Sequence, residues 1–87
     1  MKFYTTTLTT GSLVISTVDG AMMISVQPSA GAVCTFQGGL PFQQQNPTPI
    51  TLSNSQVLTV AASSPQSPLD GITITQTTGD IDIIIGF

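Results

Sequence analysis

Residues 71–87 read GITITQTTGDIDIIIGF, and two alternating runs flank the pair Thr78-Gly79. Alternation is typical of β-strands, because successive side chains point to opposite faces of a sheet. Two such runs around a Gly-containing turn predict a closing β-hairpin. A two-residue turn, or a four-residue loop in the same register, would set Ile74 opposite Ile83.

The second run is apolar at almost every position and continues to Phe87. Chain ends usually fray in water, so an apolar end calls for an explanation. One predicted face is a continuous apolar stripe, formed by Ile81, Ile83, Ile85 and Phe87. Burial in a core explains most of this stripe, but Ile84 lies on the face of Asp80 and Asp82, and Phe87 lies where the strand ends. We therefore predict that Ile84 and Phe87 contact another chain.

The rest of the chain alternates in the same way and contains little helix signal. Asp19-Gly20 separates LVISTV at 13–18 from AMMISVQ at 21–27 and predicts a second hairpin, with Ile15 opposite Ile24 and with cover on both faces. Further strands are expected at 2–9, 32–37, 50–52 and 57–61. The chain is thus predicted to be all-β, a small antiparallel β-sandwich or partial barrel of about seven to eight short strands in a meander.

The length of 87 residues predicts a single β domain, 1–87. Residues 1–10 are interpreted as an N-terminal arm or an edge strand. Residues 38–49, GGLPFQQQNPTP, are interpreted as a long Gly/Pro/Gln loop. Because Leu40 and Phe42 are apolar side chains that a solvated linker does not need, we predict them as further assembly contacts.

Charged residues make up only 6% of the chain, and Lys2 is its one basic residue. Without a basic patch we expect no nucleic-acid binding and no electrostatic hold on a membrane. No apolar run reaches the ~20 residues of a membrane helix, and the first residues do not resemble a secretory signal, so synthesis in a cytoplasm without a signal peptide is expected. A domain this small has a marginal core, which favours association with other chains.

Catalytic chemistry is not predicted, because the chain has no histidine to move protons near neutral pH. Asp80 and Asp82 share a face and could hold a cation, but we favour a role in keeping that face wet. Cys34 lies on a face with Ala32 and Phe36 and is interpreted as a small buried hydrophobe. The sequence therefore predicts no enzyme, no catalytic residues, no cofactor and no metal site.

Residues 49–87, PITLSNSQVLTVAASSPQSPLDGITITQTTGDIDIIIGF, have a recurrent Thr/Ser/Gln-rich β cadence with very few charges. This segment resembles the small all-β structural proteins of tailed-bacteriophage virions, of the capsid decoration, head-fibre or connector type. The resemblance implies a non-enzymatic virion component that forms a homo-oligomer, commonly a trimer, and attaches to a capsid or tail protein. It assigns no site residues. The shortage of basic residues favours a position on the exterior of the particle.

Two other functions remain open from the sequence. Gln and hydroxyl side chains with a few aromatic residues also fit a glycan- or surface-binding, adhesin-like module. High β-propensity and low charge also fit a self-polymerising β fibre, although the chain contains 6 prolines and 8 glycines.

Overall fold

The computed structural model is all-β and describes residues 2–16, 20–38, 49–62 and 68–87. Within these ranges no helix is found that could cross a membrane. The predicted all-β class and strand number are confirmed. The eight strands are β1 (Phe3–Leu8), β2 (Ser12–Ile15), β3 (Met23–Pro28), β4 (Val33–Gln37), β5 (Ile50–Ser53), β6 (Leu58–Ala61), β7 (Ile72–Thr78) and β8 (Ile81–Gly86).

The strands form two four-stranded antiparallel sheets that enclose one core. The first sheet has the order β1-β8-β3-β6, and the second has the order β2-β7-β4-β5. The chain therefore passes from one sheet to the other at almost every connection, and only β4 and β5 are neighbours both in sequence and in a sheet. This order is that of a jelly roll, the two-sheet Greek-key architecture of eight strands.

The core follows from the alternation within each strand. Inward positions of both sheets carry β-branched, aliphatic or aromatic side chains, which pack well on a pleated surface. The largest fully buried side chains are Phe36, Ile24, Ile72, Ile74, Ile81, Ile83, Val26, Pro28 and Cys34. Because these side chains come from both sheets, the core holds the two layers together.

The prediction of a closing hairpin is wrong, because β7 and β8 belong to different sheets. Ile83 lies opposite Thr6 of β1 and Val26 of β3, not opposite Ile74. A sharp turn at a glycine of positive φ, here Gly79 with φ 75°, serves a crossing between layers as well as it serves a hairpin. The predicted faces are nevertheless those observed, since alternation depends on the strand and not on its neighbour.

The predicted hairpin around Asp19-Gly20 is wrong for the same reason, and so is the meander. Ile15 lies opposite Ile72 of β7, whereas Ile24 lies between β6 and β8 in the other sheet. Residues 17–19 lie outside the described residues. The expected cover on both faces is also absent at Val14, which is 61% exposed.

The last residue is tied into the first sheet beyond the end of β8. Phe87 donates its N–H to the carbonyl oxygen of Lys2 at 2.8 Å, and Lys2 donates its N–H to the carbonyl oxygen of Phe87 at 3.3 Å. The β1–β8 ladder thus extends by one pair, and it places Phe87 at a fixed position beside the edge of the sheet.

Candidate assembly surface

Strand β1 forms one edge of the first sheet and pairs with β8 without a register shift, from Phe3 opposite Gly86 to Leu8 opposite Ile81. Backbone groups of an antiparallel strand point alternately toward and away from the partner strand. Lys2 and Phe87 exchange both hydrogen bonds. The backbone N–H and C=O groups of Tyr4, Thr6 and Leu8 therefore also point toward β8.

The outward-pointing backbone groups of β1 therefore belong to Phe3, Thr5 and Thr7. Each of these residues directs an N–H and a C=O away from β8, along a free edge. Among the described residues no backbone partner is found for these groups. The edge is a row of donors and acceptors that another strand fits.

This edge lacks the usual protection against strand addition. Natural edge strands are commonly kept short, charged, bulged or interrupted by proline. β1 has 6 residues, FYTTTL, with no charge and no proline, whereas the other edge strands β2, β5 and β6 have 4 each. Of the described edges, β1 is the longest and the most open to pairing.

An apolar patch lies beside this edge on the outer face of the first sheet. We define the patch as Phe3, Met23 and Ile84. Phe3 and Met23 flank Gly86 in one cross-strand row, and Ile84 lies two residues before Gly86 on the same face. Ile84 is a diagonal neighbour of both Phe3 and Met23, at the ~7–8 Å over which such pairs interact, whereas Phe3 and Met23 lie on either side of β8. Phe3 is 61% exposed and Ile84 is 41% exposed.

The four predicted contact residues divide into two groups. Ile84 lies in the apolar patch, and Phe87, which is 44% exposed, lies at the same end of the sheet. Leu40 and Phe42 lie outside the described residues. The predicted apolar stripe is buried at Ile81, Ile83 and Ile85. Phe87, its fourth member, is exposed.

Phe3 and Met23 were missed by sequence reasoning as part of this surface. Both become neighbours of Ile84 only because β1 and β3 flank β8, and this pairing joins segments far apart in the chain. The available signal was local: Phe3 and Tyr4 are adjacent aromatic residues in an otherwise threonine-rich strand.

The polar groups on the same face include Thr5 and Ser25, which flank Ile84, and they are neutral apart from Asp82. The hydroxyl of Thr7 donates to Oδ1 of Asp82 at 3.3 Å across the β1–β8 ladder. A shallow depression of about 300 Å³ lies here, lined by Thr5, Thr6, Thr7, Asp82, Ile83 and Ile84. Within the described part of the chain, no three His, Cys, Asp or Glu residues come close enough to hold a metal ion.

Cys34 occupies an inward position of β4 and is fully buried. Burial disfavours the thiolate and raises the pKa of the Cys34 thiol. The side chain is therefore protonated at neutral pH and is packed as a hydrophobic group.

Together, the fold and this surface define a class of protein: a small, nearly uncharged jelly-roll sandwich with an unprotected edge strand beside an apolar patch. Comparison of the chain with protein-family models, with curated proteins and with solved structures finds no match. The function is therefore inferred from the residues of this chain.

Proposed function

We propose that this protein is a non-enzymatic structural component of a bacteriophage particle, which associates with itself and attaches to the exterior of the capsid or tail. The observation that carries the proposal is the open β1 edge with the adjoining apolar patch. Exposed apolar clusters on small soluble domains are typical of protein–protein contact sites.

The energetics of this surface favour assembly over solvation. Phe3, Tyr4, Ile84 and Phe87 keep large apolar areas in water, and each fully buried side chain of this kind gains roughly 1.5–3 kcal/mol of transfer free energy. With 6% charged residues, the surface offers little electrostatic repulsion against close packing of many copies.

Two further observations support a virion role in particular. The segment 49–87 resembles small β structural proteins of tailed-phage particles, and jelly rolls recur in viral capsid proteins, an analogy at the level of fold. Lys2 is the single basic residue, so a position against packaged DNA is disfavoured and an exterior position is favoured.

Co-sedimentation with capsid shells and tails of the phage that encodes the chain tests this proposal. The protein should pellet with one of these particles, and Ile84→Thr should weaken that binding. Val14→Thr is the matched control, because Val14 is an exposed apolar residue on the other sheet. A chain that ignores both particles, or equal losses in the two variants, would rule the proposal out.

A glycan-binding module is the second candidate. It is favoured by the exposed aromatic ring of Phe3, which lies on the face of the hydroxyl-lined depression and two residues from Thr5 in its lining. Sugar sites commonly combine such rings with hydroxyl groups. A glycan array and titrations at millimolar sugar should give a hit that is lost in Phe3→Ala, and an array without hits removes this candidate.

A further inference from the structure

We propose that β1 pairs antiparallel with β1 of a second copy about a two-fold axis at Thr5, which joins the first sheets of both copies into one continuous sheet. This inference rests on the self-association in the proposed function and specifies its geometry. It replaces the trimer implied by the phage resemblance with a closed two-fold pair.

The backbone register of β1 suits a two-fold pairing. The free groups belong to Phe3, Thr5 and Thr7, and they are arranged symmetrically about Thr5. A two-fold axis there places Thr5 opposite Thr5 of the second copy and Phe3 opposite Thr7 of the second copy. All of these donors and acceptors are then paired by one operation, without a register shift.

The side chains of the two β1 strands also match in this pairing. The same register places Phe3 beside Thr7 on the outer face and Tyr4 beside Thr6 on the inner face. Phe3 is 61% exposed and Tyr4 is 57% exposed in the single chain, so both rings gain cover. Aromatic side chains opposite β-branched ones form favourable cross-strand pairs.

The distribution of charge is compatible with this pairing. No charged side chain lies within β1, and the axis at Thr5 therefore brings no like charges together. Lys2 lies opposite Leu8 of the second copy, so the two lysines are at opposite ends of the interface. Asp82 lies on β8, one strand inward, and is also kept away from its symmetry mate.

The free edge of β1 fits a second copy of the same chain. A second copy supplies a strand of matching length, hydrogen-bonding register and neutrality, and two-fold pairing consumes both β1 edges. No open β1 edge then remains, so growth by this contact stops at two chains. Phe87 at the two ends, and Ile84 on the outer face beside the axis, stay available for attachment to a different protein.

The solution mass of the purified chain tests this pairing. Light scattering or sedimentation should give twice the chain mass of 9.0 kDa. Thr5→Lys puts two lysines side by side at the axis, which should weaken the dimer by up to about fivefold. Thr51→Lys is the matched control, because Thr51 is an exposed residue of another edge strand, β5. The Thr51→Lys variant should dimerise as tightly as the wild type.

A proline variant tests the β1 pairing independently of charge. Thr5→Pro removes an outward N–H and no β1–β8 hydrogen bond, so the chain should stay folded and become monomeric. Val14→Pro is its counterpart on the β2 edge and should remain dimeric. A wild-type monomer or trimer overturns the pairing. So does a folded Thr5→Lys whose dimer is as tight as that of the wild type, a folded Thr5→Pro that remains dimeric, or a Thr51→Lys that dissociates.

Failure of this inference is distinguishable from failure of the proposed function. A β1-paired dimer that ignores phage particles contradicts the virion role and leaves the pairing intact. A trimer that binds those particles contradicts the pairing and leaves the virion role intact.

Discussion

Ile83 and Ile84 are adjacent, chemically identical and exposed to different surroundings. Ile83 is 1% exposed and packs in the core, whereas Ile84 is 41% exposed and lies in the apolar patch. The difference arises from the two-residue period of a strand, which sends neighbouring side chains to opposite faces. One residue therefore contributes to folding, and the other is available for a partner.

Truncation of these two residues should separate the two contributions. Ile83→Ala leaves a cavity in the core and should lower the free energy of unfolding by about 2–5 kcal/mol. Ile84→Ala should lower it by less than about 1 kcal/mol, because only exposed surface and β-propensity change. Urea denaturation of both variants measures this, and equal losses would contradict the assignment of Ile84 to the surface.

Cys34 predicts a dependence of stability on pH. Because its pKa is raised by burial, the folded thiol keeps its proton at a pH where the unfolded thiol, with an ordinary pKa of 9.0, ionises. Stability from this group is fully present below about pH 9 and falls as the pH rises toward the folded-state pKa, by up to ~1.4 kcal/mol per unit.

Urea midpoints measured from pH 7 to pH 11 check this dependence. The wild type should lose stability above about pH 9, and Cys34→Ala should lack that part of the decline. Parallel curves for the two proteins would show that the thiol is not protected in the core.

At the scale of elements, the turn between β7 and β8 carries the chain from one sheet to the other. Gly79 has a φ of 75°, and a Cβ placed there would approach the Cβ of Ala32 to 2.8 Å. Gly31 has a similar φ of 78°, but nothing lies within 4 Å of its Cβ position. Both glycines adopt a positive φ, but only the Cβ position at Gly79 lies close to another residue, Ala32.

Alanine at these two positions should therefore have unequal costs. Gly31→Ala should cost about 1–2 kcal/mol for a left-handed alanine. Gly79→Ala should cost about 1–3 kcal/mol more, because it also overpacks the turn against Ala32. Thermal or urea unfolding measures both, and a Gly79→Ala variant as stable as Gly31→Ala would show that the close approach is not tight.

The elements and their faces could be predicted from the sequence, but their pairing could not. Alternation identifies the buried residues of 72–87 correctly, because it is a local property of each strand. Asp19-Gly20 and Thr78-Gly79 suggest hairpins, yet each lies at a crossing between sheets. Positive φ at a glycine bends the chain without specifying whether the next strand joins the same layer.

The apolar patch could likewise be predicted only in part from the sequence. The exposure of Ile84 was predictable from its parity relative to Asp82, and so was its proposed role as a contact. Its neighbours Phe3 and Met23 were not predictable, because the contact requires β1 and β3 to flank β8.

At the scale of the whole molecule, the topology predicts slow folding. Nearly all strand pairs join segments distant in sequence, and β1 with β8 joins the two ends of the described chain. Loop closure must precede the gain from such contacts, so folding in milliseconds to seconds is expected. Stopped-flow refolding from urea checks this, and a microsecond phase that restores all native signal would contradict the topology.

The proposed assembly of this protein depends on the β1 edge being an interface. Amide hydrogen exchange of β1 in the purified protein tests this most directly. Tyr4, Thr6 and Leu8 are bonded to β8 and should be protected at every concentration, whereas protection of Phe3, Thr5 and Thr7 should appear as the protein concentration is raised. If these three amides exchange as fast as an unstructured peptide at all concentrations, while their neighbours stay protected, β1 is a bare edge and the central claim fails.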